Sequence, residues 1–526
     1  MIKAKLFQAN NFSGGLNTKT YPKGLEAHFS PDCLNVYSNL YKTLEFRRGF
    51  SSFSNTLSDT TCYGMFKYSK LSAGSFTKML VGFWGSNMYK MDEFDGTWDA
   101  VTLGVAQYPD LYSATTYSTA STNHFIFGNQ NLDTLQIYDG GTTTSSIDVT
   151  TLTSARHLIA WKNHLWCGYT KESGTIYPYR LRRTNVNTYG VSATDWTAGV
   201  SGYDDVVTTD GDSMSALVGL KANIFIFKKY SIFRVIYLGG TPLVEIKQMS
   251  SIGTESPATI KKITLINGDE YLVFLGTDNR FYTFDGYNAP QAISEMVFDD
   301  NKKSLYNSSR INKLRRKYAW AENYINKHWY MLFVPHSGSS NNTLCYAIDY
   351  YSTPLSIWPF TGMTASAGVV AEDTENNTFL YFADYSGVTH KFESGNSDNT
   401  VAISSHYYSP QMPVDQYPKL KKAQQVQAHF EQVGNFDVTF SYRINDNATF
   451  HNTTVNLAGA GDKLGTTFIL GTSKLGSQSS LPVTVDIPQV SNAIQFKVAG
   501  STTTPKTKLY SLDLLGISEG IGKGGS

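Results

Sequence analysis

The chain has 526 residues, enough for more than one domain, with 17% charged residues and a formal net charge of +1. Its 34 Tyr, 30 Phe, 8 Trp and 43 Gly are typical of many short strands and turns, and argue against a disordered chain or a coiled coil. The near-neutral charge gives no overall electrostatic reason to bind nucleic acid or a membrane surface. So little charge indicates a surface that belongs in an assembly.

The sequence shows no sign of export, membrane insertion or a disulfide framework. Its start, MIKAKLFQANNFSGG, has no apolar signal core, and no stretch approaches the ~20 apolar residues of a membrane span. The four cysteines, Cys33, Cys62, Cys167 and Cys345, form no CxxC pair and fit buried free thiols. We therefore expect a chain that is made in a cytoplasm and has no membrane span.

Residues 1–54 are expected to form an irregular N-terminal arm that packs on the body of the chain or on a neighbouring subunit. The arm holds FSGGLNT, then a proline and a leucine, an Asn-Val strand and an Arg-Gly-Phe close. This motif consists of Phe12, Gly14, Gly15, Leu16, Asn17, Pro22, Leu25, Asn35, Val36, Arg47, Arg48, Gly49 and Phe50. Its glycine pair allows backbone conformations that other residues resist.

A hairpin pattern recurs along residues 55–397. Its clearest copy, LVFLGTDNRFYTFDGYNA, has an apolar strand, a polar turn, an aromatic strand and then Asp-Gly. The acidic residues that close the copies are Asp95, Asp139, Asp285, Asp349 and Glu393. About seven such units of roughly forty to sixty residues predict an all-β fold, a β-propeller of about six to seven blades. The alternative is a run of unrelated hairpins in a sandwich.

Two segments depart from this pattern. Around residues 295–318 the strand periodicity stops, and apolar residues at near-helical spacing predict a short helical insertion. Residues 398–517 contain seven strand patterns, which predict a C-terminal β-sandwich. Residues 518–526 are expected to form a flexible tail.

The N-terminal motif, the repeats and the C-terminal sandwich together resemble the tail nozzle and tail hub proteins of tailed phages, which are β-propeller components of virions. The chain departs from that family at NLYKTLEFRR, where such proteins more often carry a glycine before the arginines. Without that glycine, the turn in this segment is expected to differ in geometry from the turn in the family.

The resemblance implies a homo-oligomeric, six-fold ring in the virion tail that forms part of the DNA-ejection channel. It also implies a docking platform for a portal adaptor or other tail proteins and for tail fibres or spikes. Double-stranded DNA would pass through the channel without specific binding, which the near-neutral net charge allows.

Catalytic signatures are missing from the sequence. It holds no HExxH, GxSxG, P-loop or CxxC motif, so we expect no enzymatic activity, no cofactor and no metal centre. The densest acidic loop contains Asp204, Asp205, Asp210 and Asp212, whose carboxylates suit a calcium ion. The loop lacks the spacing of a known calcium site, and an ordinary solvated loop is the alternative interpretation.

Two basic clusters remain. The first is Arg180, Arg182 and Arg183, and the second is Lys302, Lys303, Arg310, Lys313, Arg315, Arg316 and Lys317. Such clusters contact phosphates or, in the interpretation we favour, form protein salt bridges or are solvated. The candidate assembly and docking residues are Phe12, Gly14, Gly15, Leu16, Asn17, Arg47, Arg48, Lys313, Arg315 and Arg316.

Two other classes of function stay open. One is a receptor-binding or glycan-binding propeller at the tail tip, with exposed aromatic residues in a groove. The other is a propeller glycosidase or lyase, which needs paired carboxylates at one mouth of the propeller.

Overall fold

The computed structural model describes residues 4–72, 74–119, 121–147, 150–209, 211–298, 308–336, 338–413, 421–431, 437–444, 447–457, 480–487, 490–491, 493–502 and 507–517. Within these residues the chain forms seven four-stranded antiparallel sheets, two larger sheets and one two-stranded parallel sheet. The inner strand of each four-stranded sheet contacts the next such sheet, and Ala367–Glu372 of the seventh contacts Cys62–Ser72 of the first. The seven sheets are the blades of a β-propeller, which confirms the predicted fold.

Blades 1 to 4 are each built from four consecutive strands. From the inner to the outer edge, blade 1 has Cys62–Ser72, Ser75–Trp84, Asn87–Asp92 and Asp99–Val101, and blade 2 has Tyr112–Ser118, Asn123–Asn129, Gln136–Tyr138 and Ser145–Ser146. Blade 3 has Ser154–Trp161, His164–Glu172, Thr175–Arg183 and Gly202–Asp205, and blade 4 has Met214–Leu220, Asn223–Lys228, Ile232–Tyr237 and Val244–Ser250.

Blades 5 and 6 follow the same plan, whereas blade 7 takes its outer strand from the start of the chain. Blade 5 has Lys261–Thr264, Glu270–Leu275, Phe281–Phe284 and Gln291–Ala292, and blade 6 has Trp320–Tyr324, Trp329–Pro335, Asn342–Asp349 and Ser356–Phe360. Blade 7 has Ala367–Glu372, Thr378–Ala383, Thr389–Gly395 and then Gly49–Ser52. The N-terminal strand therefore completes the seventh blade.

The second strand of a blade is the most apolar one because it lies inside its own sheet and between two neighbouring blades. Trp329–Pro335 is buried at every position, and so are the last six residues of Ser75–Trp84. A strand covered on both faces needs a continuous apolar run rather than an alternating one. This is why the apolar half of each repeated hairpin was visible in the sequence.

The acidic residues that close the repeats have one structural role in four blades and another in the seventh. Asp95, Asp139 and Asp285 follow the third strand of their blades, and Asp349 is the last residue of the third strand of blade 6. Glu393 lies instead inside strand Thr389–Gly395, at a register shift opposite Phe50 and Gly49. Glu393, which the repeat pattern groups with these aspartates, is therefore a strand residue, because blade 7 receives its outer strand from the chain start.

Two sheets pack together as the C-terminal sandwich. The first has the order Ser480–Asp486, Lys421–Glu431, Lys508–Ile517, Leu44–Phe46 and Val36–Ser38, with Ala4–Ala9 paired to Lys508–Ile517 and Val490–Ser491 paired to Lys421–Glu431. The second has the order His451–Asn456, Asp437–Ile444, Ala493–Thr502, Ile403–Tyr408 and Cys33–Leu34, with Met412–Pro413 paired to Ala493–Thr502. Phe430 and Leu514 of the first sheet share one buried core with Phe440 and Phe496 of the second.

The N-terminal arm is thus divided among three parts of the molecule. Four of its strands extend the sandwich sheets, one closes blade 7, and Gly15–Leu16 pairs in parallel with Phe29–Ser30. The same continuous core contains Phe12 and Val36 of the arm together with Trp358 of blade 6. The N-terminal arm, which is too irregular to form a separate core, is therefore buried against the propeller and the sandwich of the same chain.

The helical elements in the described part are short. One α-helical turn covers Ala193–Thr197, and 3-10 turns cover Pro22–Gly24, Pro257–Thr259, Ser308–Arg310, Arg316–Tyr318 and Ile325–Lys327. The predicted helical insertion consists of two of these 3-10 turns, and its residues 299–307 lie outside the described residues, as does the predicted tail at 518–526. No helix among the described residues has the length and hydropathy needed to cross a membrane. All four cysteines are buried and free.

Candidate functional site

Arg47 stands where the chain passes from the sandwich into the propeller. It lies between strands Leu44–Phe46 and Gly49–Ser52, and its side chain is fully buried. Its guanidinium donates to Asp398 Oδ1 at 2.8 Å and to Asp398 Oδ2 at 2.5 Å, and also to Thr361 O at 2.6 Å. A buried bidentate pair of this kind fixes the geometry of both partners. Arg47 therefore ties the arm to the segment that links the last blade to the sandwich.

Asn35 extends this joint to blade 6 and to the second sandwich sheet. Its Oδ1 accepts hydrogen bonds from Arg47 Nε and Thr361 N, both at 2.9 Å, and its Nδ2 donates to Ser404 O at 2.7 Å. Its backbone N–H donates to Pro359 O at 3.0 Å, and its φ is 55°. Asparagine suits this position because it tolerates the left-handed conformation and carries both a donor and an acceptor.

The glycine pair lets the arm lie directly on blade 6. Gly15 has a φ of 72°, and a Cβ there would lie 2.8 Å from the backbone nitrogen of Ile357. Only glycine permits both that conformation and that approach. Nearby, the fully buried Phe12 meets Tyr407 of the sandwich edge to face, with ring centroids 5.5 Å apart.

The remaining FSGGLNT residues are also interior. The Gly14 N–H donates to His28 O at 2.9 Å, and Leu16 is only 2% exposed. The buried Asn17 accepts a hydrogen bond from Thr20 N at 3.1 Å through its side chain, which shapes the turn after the short parallel pair. The motif is therefore a joint between propeller and sandwich.

A second arginine-rich segment, residues 308–318, crosses the propeller face at which the first strand of each blade begins; we call it the strap. Lys317 Nζ lies 3.7 Å from Asp110 Oδ1 at the entry to blade 2. The rings of Tyr318 and Tyr63, the latter in blade 1, have centroids 6.5 Å apart. The strap therefore touches blades that are distant from its own place in the sequence.

Arg316 anchors the strap. It is 7% exposed, and its Nε donates to Glu255 Oε2 at 3.0 Å. Its Nη1 donates to Asn279 Oδ1 at 3.2 Å and to the carbonyl of Thr277 in blade 5. Arg316 is therefore a structural residue of the propeller.

The candidate docking residues fall into two groups by exposure. The buried ones are Phe12, Gly14, Gly15, Leu16, Asn17, Arg47 and Arg316, and the exposed ones are Arg48, Lys313 and Arg315. Of the same basic cluster, Lys302 and Lys303 lie outside the described residues. The exposed candidate docking residues with a defined position in the strap are thus Lys313 and Arg315, and Lys317 of the same cluster is exposed as well.

The first basic cluster is engaged inside blade 3. Its ion pairs are Arg180 with Asp205 and Glu172, Arg182 with Glu172, and Arg183 with Asp204. The Asp212 carboxylate accepts the backbone N–H of Tyr230 at 2.9 Å, and Asp210 lies outside the described residues. Across the described part of the chain, no group of three or more His, Cys, Asp or Glu residues is placed to hold a metal ion.

The aspartates at the ends of the third strands organise turns. Oδ1 of Asp95, Asp139, Asp285 and Asp349 accepts the backbone N–H of Thr97, Gly141, Tyr287 and Tyr351, respectively. Burial favours a higher pKa at Asp285, but hydrogen bonds from Asn288 and Tyr287 outweigh it and lower the pKa of that carboxyl. At Asp349 burial dominates over two backbone hydrogen bonds and raises the pKa to about 6.

Two cavities lie along the propeller axis. One of about 280 Å³ is lined by the inner strands of all seven blades and contains His157, whose pKa burial lowers to about 3. The other, which we call the funnel, has about 680 Å³ and opens at the opposite face from the strap. Its lining includes Phe66, Phe94 and Lys67, together with Glu322 and Glu372. The size is in the range of small-molecule sites.

Both funnel carboxylates are held by lysines. Lys261 Nζ lies 2.5 Å from Glu322 Oε1, and Lys78 Nζ lies 3.3 Å from Glu372 Oε2.

Sequence reasoning missed Asp398, Thr361 and Glu255, the partners that make Arg47 and Arg316 structural. Asp398 lies in SGNSDN, a stretch that has the composition of an ordinary linker. No local signal distinguishes its aspartate, because its partner stands 351 positions earlier in the chain.

No family model and no curated protein matches the chain. Among solved structures it is similar to the extracellular domain of a hybrid two component system from B. thetaiotaomicron, with 8% identity, 78% of this chain and 47% of that chain covered, and a TM-score of 0.40. The chain thus spans about half of that structure.

Two further similarities cover nearly the whole of the other protein. The β-propeller domain of Swd1 from Myceliophteria thermophila has 10% identity, 60% of this chain and 93% of that chain covered, and a TM-score of 0.37. The exo-β-1,3-galactanase from Phanerochaete chrysosporium has 11% identity, with 79% and 98% covered and a TM-score of 0.26. Because these identities and TM-scores are low, we infer the architecture from the sheets of this chain alone and its function from the residues of this chain alone.

Proposed function

We propose that the chain is a structural subunit of a phage tail, and that copies of it form a nozzle or hub ring around the channel through which DNA leaves the particle. Portal-adaptor proteins, fibres or spikes would dock on this ring, and the chain would have no enzymatic activity and no cofactor. Its place would be the virion tail, after synthesis in the host cytoplasm.

The observation that carries the proposal is the position of the N-terminal motif. The residues that resemble nozzle and hub proteins are the ones that lock propeller to sandwich, above all Asn35 and Arg47. The joint joins parts of the chain that are far apart in sequence, so the subunit resists being pulled open. A wall around a passing DNA needs such rigidity, and it needs no catalytic group.

The near-neutral chain also suits a conduit. A tightly bound cargo would stall, since each lysine or arginine that neutralises a phosphate adds affinity. The arginines of blade 3 and Arg316 of the strap are paired with carboxylates of the same chain. They are therefore not free to hold the DNA backbone.

The test is a cryo-EM reconstruction of assembled particles, combined with particles made without this chain. We expect a closed ring of copies on the tail axis, and we expect particles without the chain to lose both that ring and DNA delivery. Finding the chain outside the tail, or finding normal delivery without it, would overturn the proposal.

The funnel favours a second function, binding of a glycan or another receptor at the tail tip. It combines aromatic side chains with Lys67, Thr115 and Thr116 in one concave site. Glycan-array binding by the purified chain, lost on Phe66→Ala but kept in the strap variant Arg315→Ala, would support this function. A chain that binds no glycan would leave the structural role as its sole proposed function.

A further inference from the structure

The tip of the strap, residues 313–315, exposes an apolar side chain between two cations. Leu314 is 89% exposed, and it stands between the exposed side chains of Lys313 and Arg315. Neither cation pairs with a carboxylate of the described residues, and Arg315 rests over the ring of Tyr318 at 4.5 Å. The next residue is the buried anchor Arg316, so the tip is held in place from below.

A matching surface exists on blade 1 of the same chain. The turn after its third strand reads Glu93-Phe94-Asp95, an anion, an apolar residue and an anion, where the strap tip reads cation, apolar residue and cation. Glu93, Asp95 and Asp99 are exposed, and none of them forms an ion pair with a described residue. Phe94 is half-buried beside the ring of Tyr381, with centroids 5.3 Å apart.

The two surfaces cannot meet within one molecule. In an antiparallel blade the turn between the second and third strands lies at one end, and the turn between the third and fourth strands lies at the other. The strap lies at the first end, where Asn312 Nδ2 donates to Ser339 O in the turn after the second strand of blade 6. Residues 93–98 lie at the second end, after strand Asn87–Asp92.

We propose that the strap tip Lys313-Leu314-Arg315 of one copy docks on the turn Glu93-Phe94-Asp95 of a second copy. Opposite charges on the two tripeptides align the copies, and the contact of Leu314 with Phe94 removes apolar surface from water. This proposal rests on the proposed ring and names the contact that builds it.

The positions of the two surfaces select the symmetry of the contact. In a two-fold dimer the contact of strap with acidic turn would occur twice, so both surfaces would have to lie in one shared patch. They lie at opposite ends of the propeller instead. The contact is therefore head-to-tail, and such a contact closes into a ring when its rotation fits.

The experiment is a charge reversal on each side, followed by their combination, in the full-length chain. The variants are Lys313→Glu with Arg315→Glu, then Glu93→Lys with Asp95→Lys, then all four together. Lys247→Glu, an exposed reversal on the outer strand of blade 4, is the matched control. Mass photometry and sedimentation velocity measure the oligomer over a concentration series, and circular dichroism checks that each variant is folded.

We expect each one-sided reversal to raise the apparent dissociation constant of the oligomer at least about 100-fold, because it sets like charges against each other. The four-residue variant should recover most of that loss, and Lys247→Glu should change it less than twofold. Oligomers unaffected by the one-sided reversals, or a four-residue variant no better than either, would overturn the contact while a ring seen in particles would still support the proposed function. A wild-type chain that stays monomeric at all concentrations would also overturn it.

Discussion

The N-terminal motif and the strap are both arginine-bearing segments outside the blade repeats, and the chain uses them in opposite ways. In the motif, Arg47 and Asn35 point inward and every polar atom that they offer is used between propeller and sandwich. In the strap, neighbouring arginines have different roles: Arg316 is buried within the subunit, and Arg315 is exposed at its surface. The comparison teaches that burial and pairing, rather than residue type, decide whether an arginine builds the subunit or faces its partners.

The largest expected effect is at the motif. Arg47→Met leaves Asp398 buried without its cation, and breaking a buried pair in this way costs about 3–5 kcal/mol. We expect the free energy of unfolding in urea to fall by that amount. We also expect the unfolding curve to split into two transitions, because the sandwich and the propeller lose their joint. Arg48→Met, at the exposed neighbour, should change the free energy of unfolding by less than about 0.5 kcal/mol.

A cycle with Asp398→Asn isolates the pair itself. The double variant should lose less free energy of unfolding than the sum of the losses in the two single variants, because it contains no unpaired buried charge. Additive single effects, with one unfolding transition throughout, would contradict the assignment of Arg47 as the joint.

The strap gives the next effect in size. Arg316→Met leaves Thr277 O and Asn279 Oδ1 without the Arg316 donor, and leaves Glu255 with Lys229 as its cation. Hydrogen bonds to a charged group are worth about 1.5–3 kcal/mol, so we expect a loss of that size. Arg315→Met removes an exposed side chain and should leave the free energy of unfolding within about 0.5 kcal/mol of the wild type. Urea unfolding measures both variants. Equal losses of unfolding free energy would contradict the assignment of Arg316 as the buried anchor and Arg315 as a surface residue.

Much of the propeller could be predicted from sequence because its signals are local. The first strands of the blades, their apolar second strands and the aspartate turns all lie within a few residues of each other. The outer strand of blade 7 could not be placed in this way, because Phe50 pairs with Phe392 across most of the chain. Its sequence, GFSS, is too short and too polar to indicate a partner.

The site was harder to predict for the same reason. The motif residues were identified by resemblance, but their burial depends on Asp398 and Ser404, which lie beyond the last blade. Arginine clusters are ambiguous in sequence, since exposure is set by tertiary packing. Lys313 and Arg316 look alike in the string KLRRK and differ only once Glu255 is placed beside one of them.

The aspartate turns offer a second comparison, between a turn that the arm covers and one that it leaves open. Ser352 Oγ, in the Asp349 turn, donates to Ser13 O of the arm at 3.1 Å. With a pKa of about 6 in the folded state, against about 3.9 in an unfolded chain, Asp349 binds its proton more tightly when folded. Stability from this group is therefore complete below about pH 4 and is lost as pH rises through about 6.

Asp349→Asn should accordingly stabilise the chain at pH 8, by about 1–2 kcal/mol, and change little at pH 4. Asp285→Asn, at the open turn whose folded pKa is lowered, should do the reverse and destabilise at pH 8. Urea unfolding at both pH values measures the four differences. The same sign for both substitutions at pH 8 would contradict the assigned role of the arm.

The smallest effect is expected at Lys42, in the segment NLYKTLEFRR. Lys42 has a φ of 63°, in a turn where Asn39 Oδ1 accepts the N–H groups of Tyr41 and Thr43 at 2.9 and 3.1 Å. The left-handed conformation costs a residue with a Cβ roughly 1–2 kcal/mol, and glycine escapes that cost but loses about 0.5–1 kcal/mol in chain entropy. Lys42→Gly should therefore raise the free energy of unfolding by up to about 1 kcal/mol. Lys42→Ala, which keeps the Cβ, should give no gain, and an equal gain from both would show that backbone conformation is not the cause. The Asn39 side chain holds the turn in either variant, because it bonds to the backbone of residues 41 and 43.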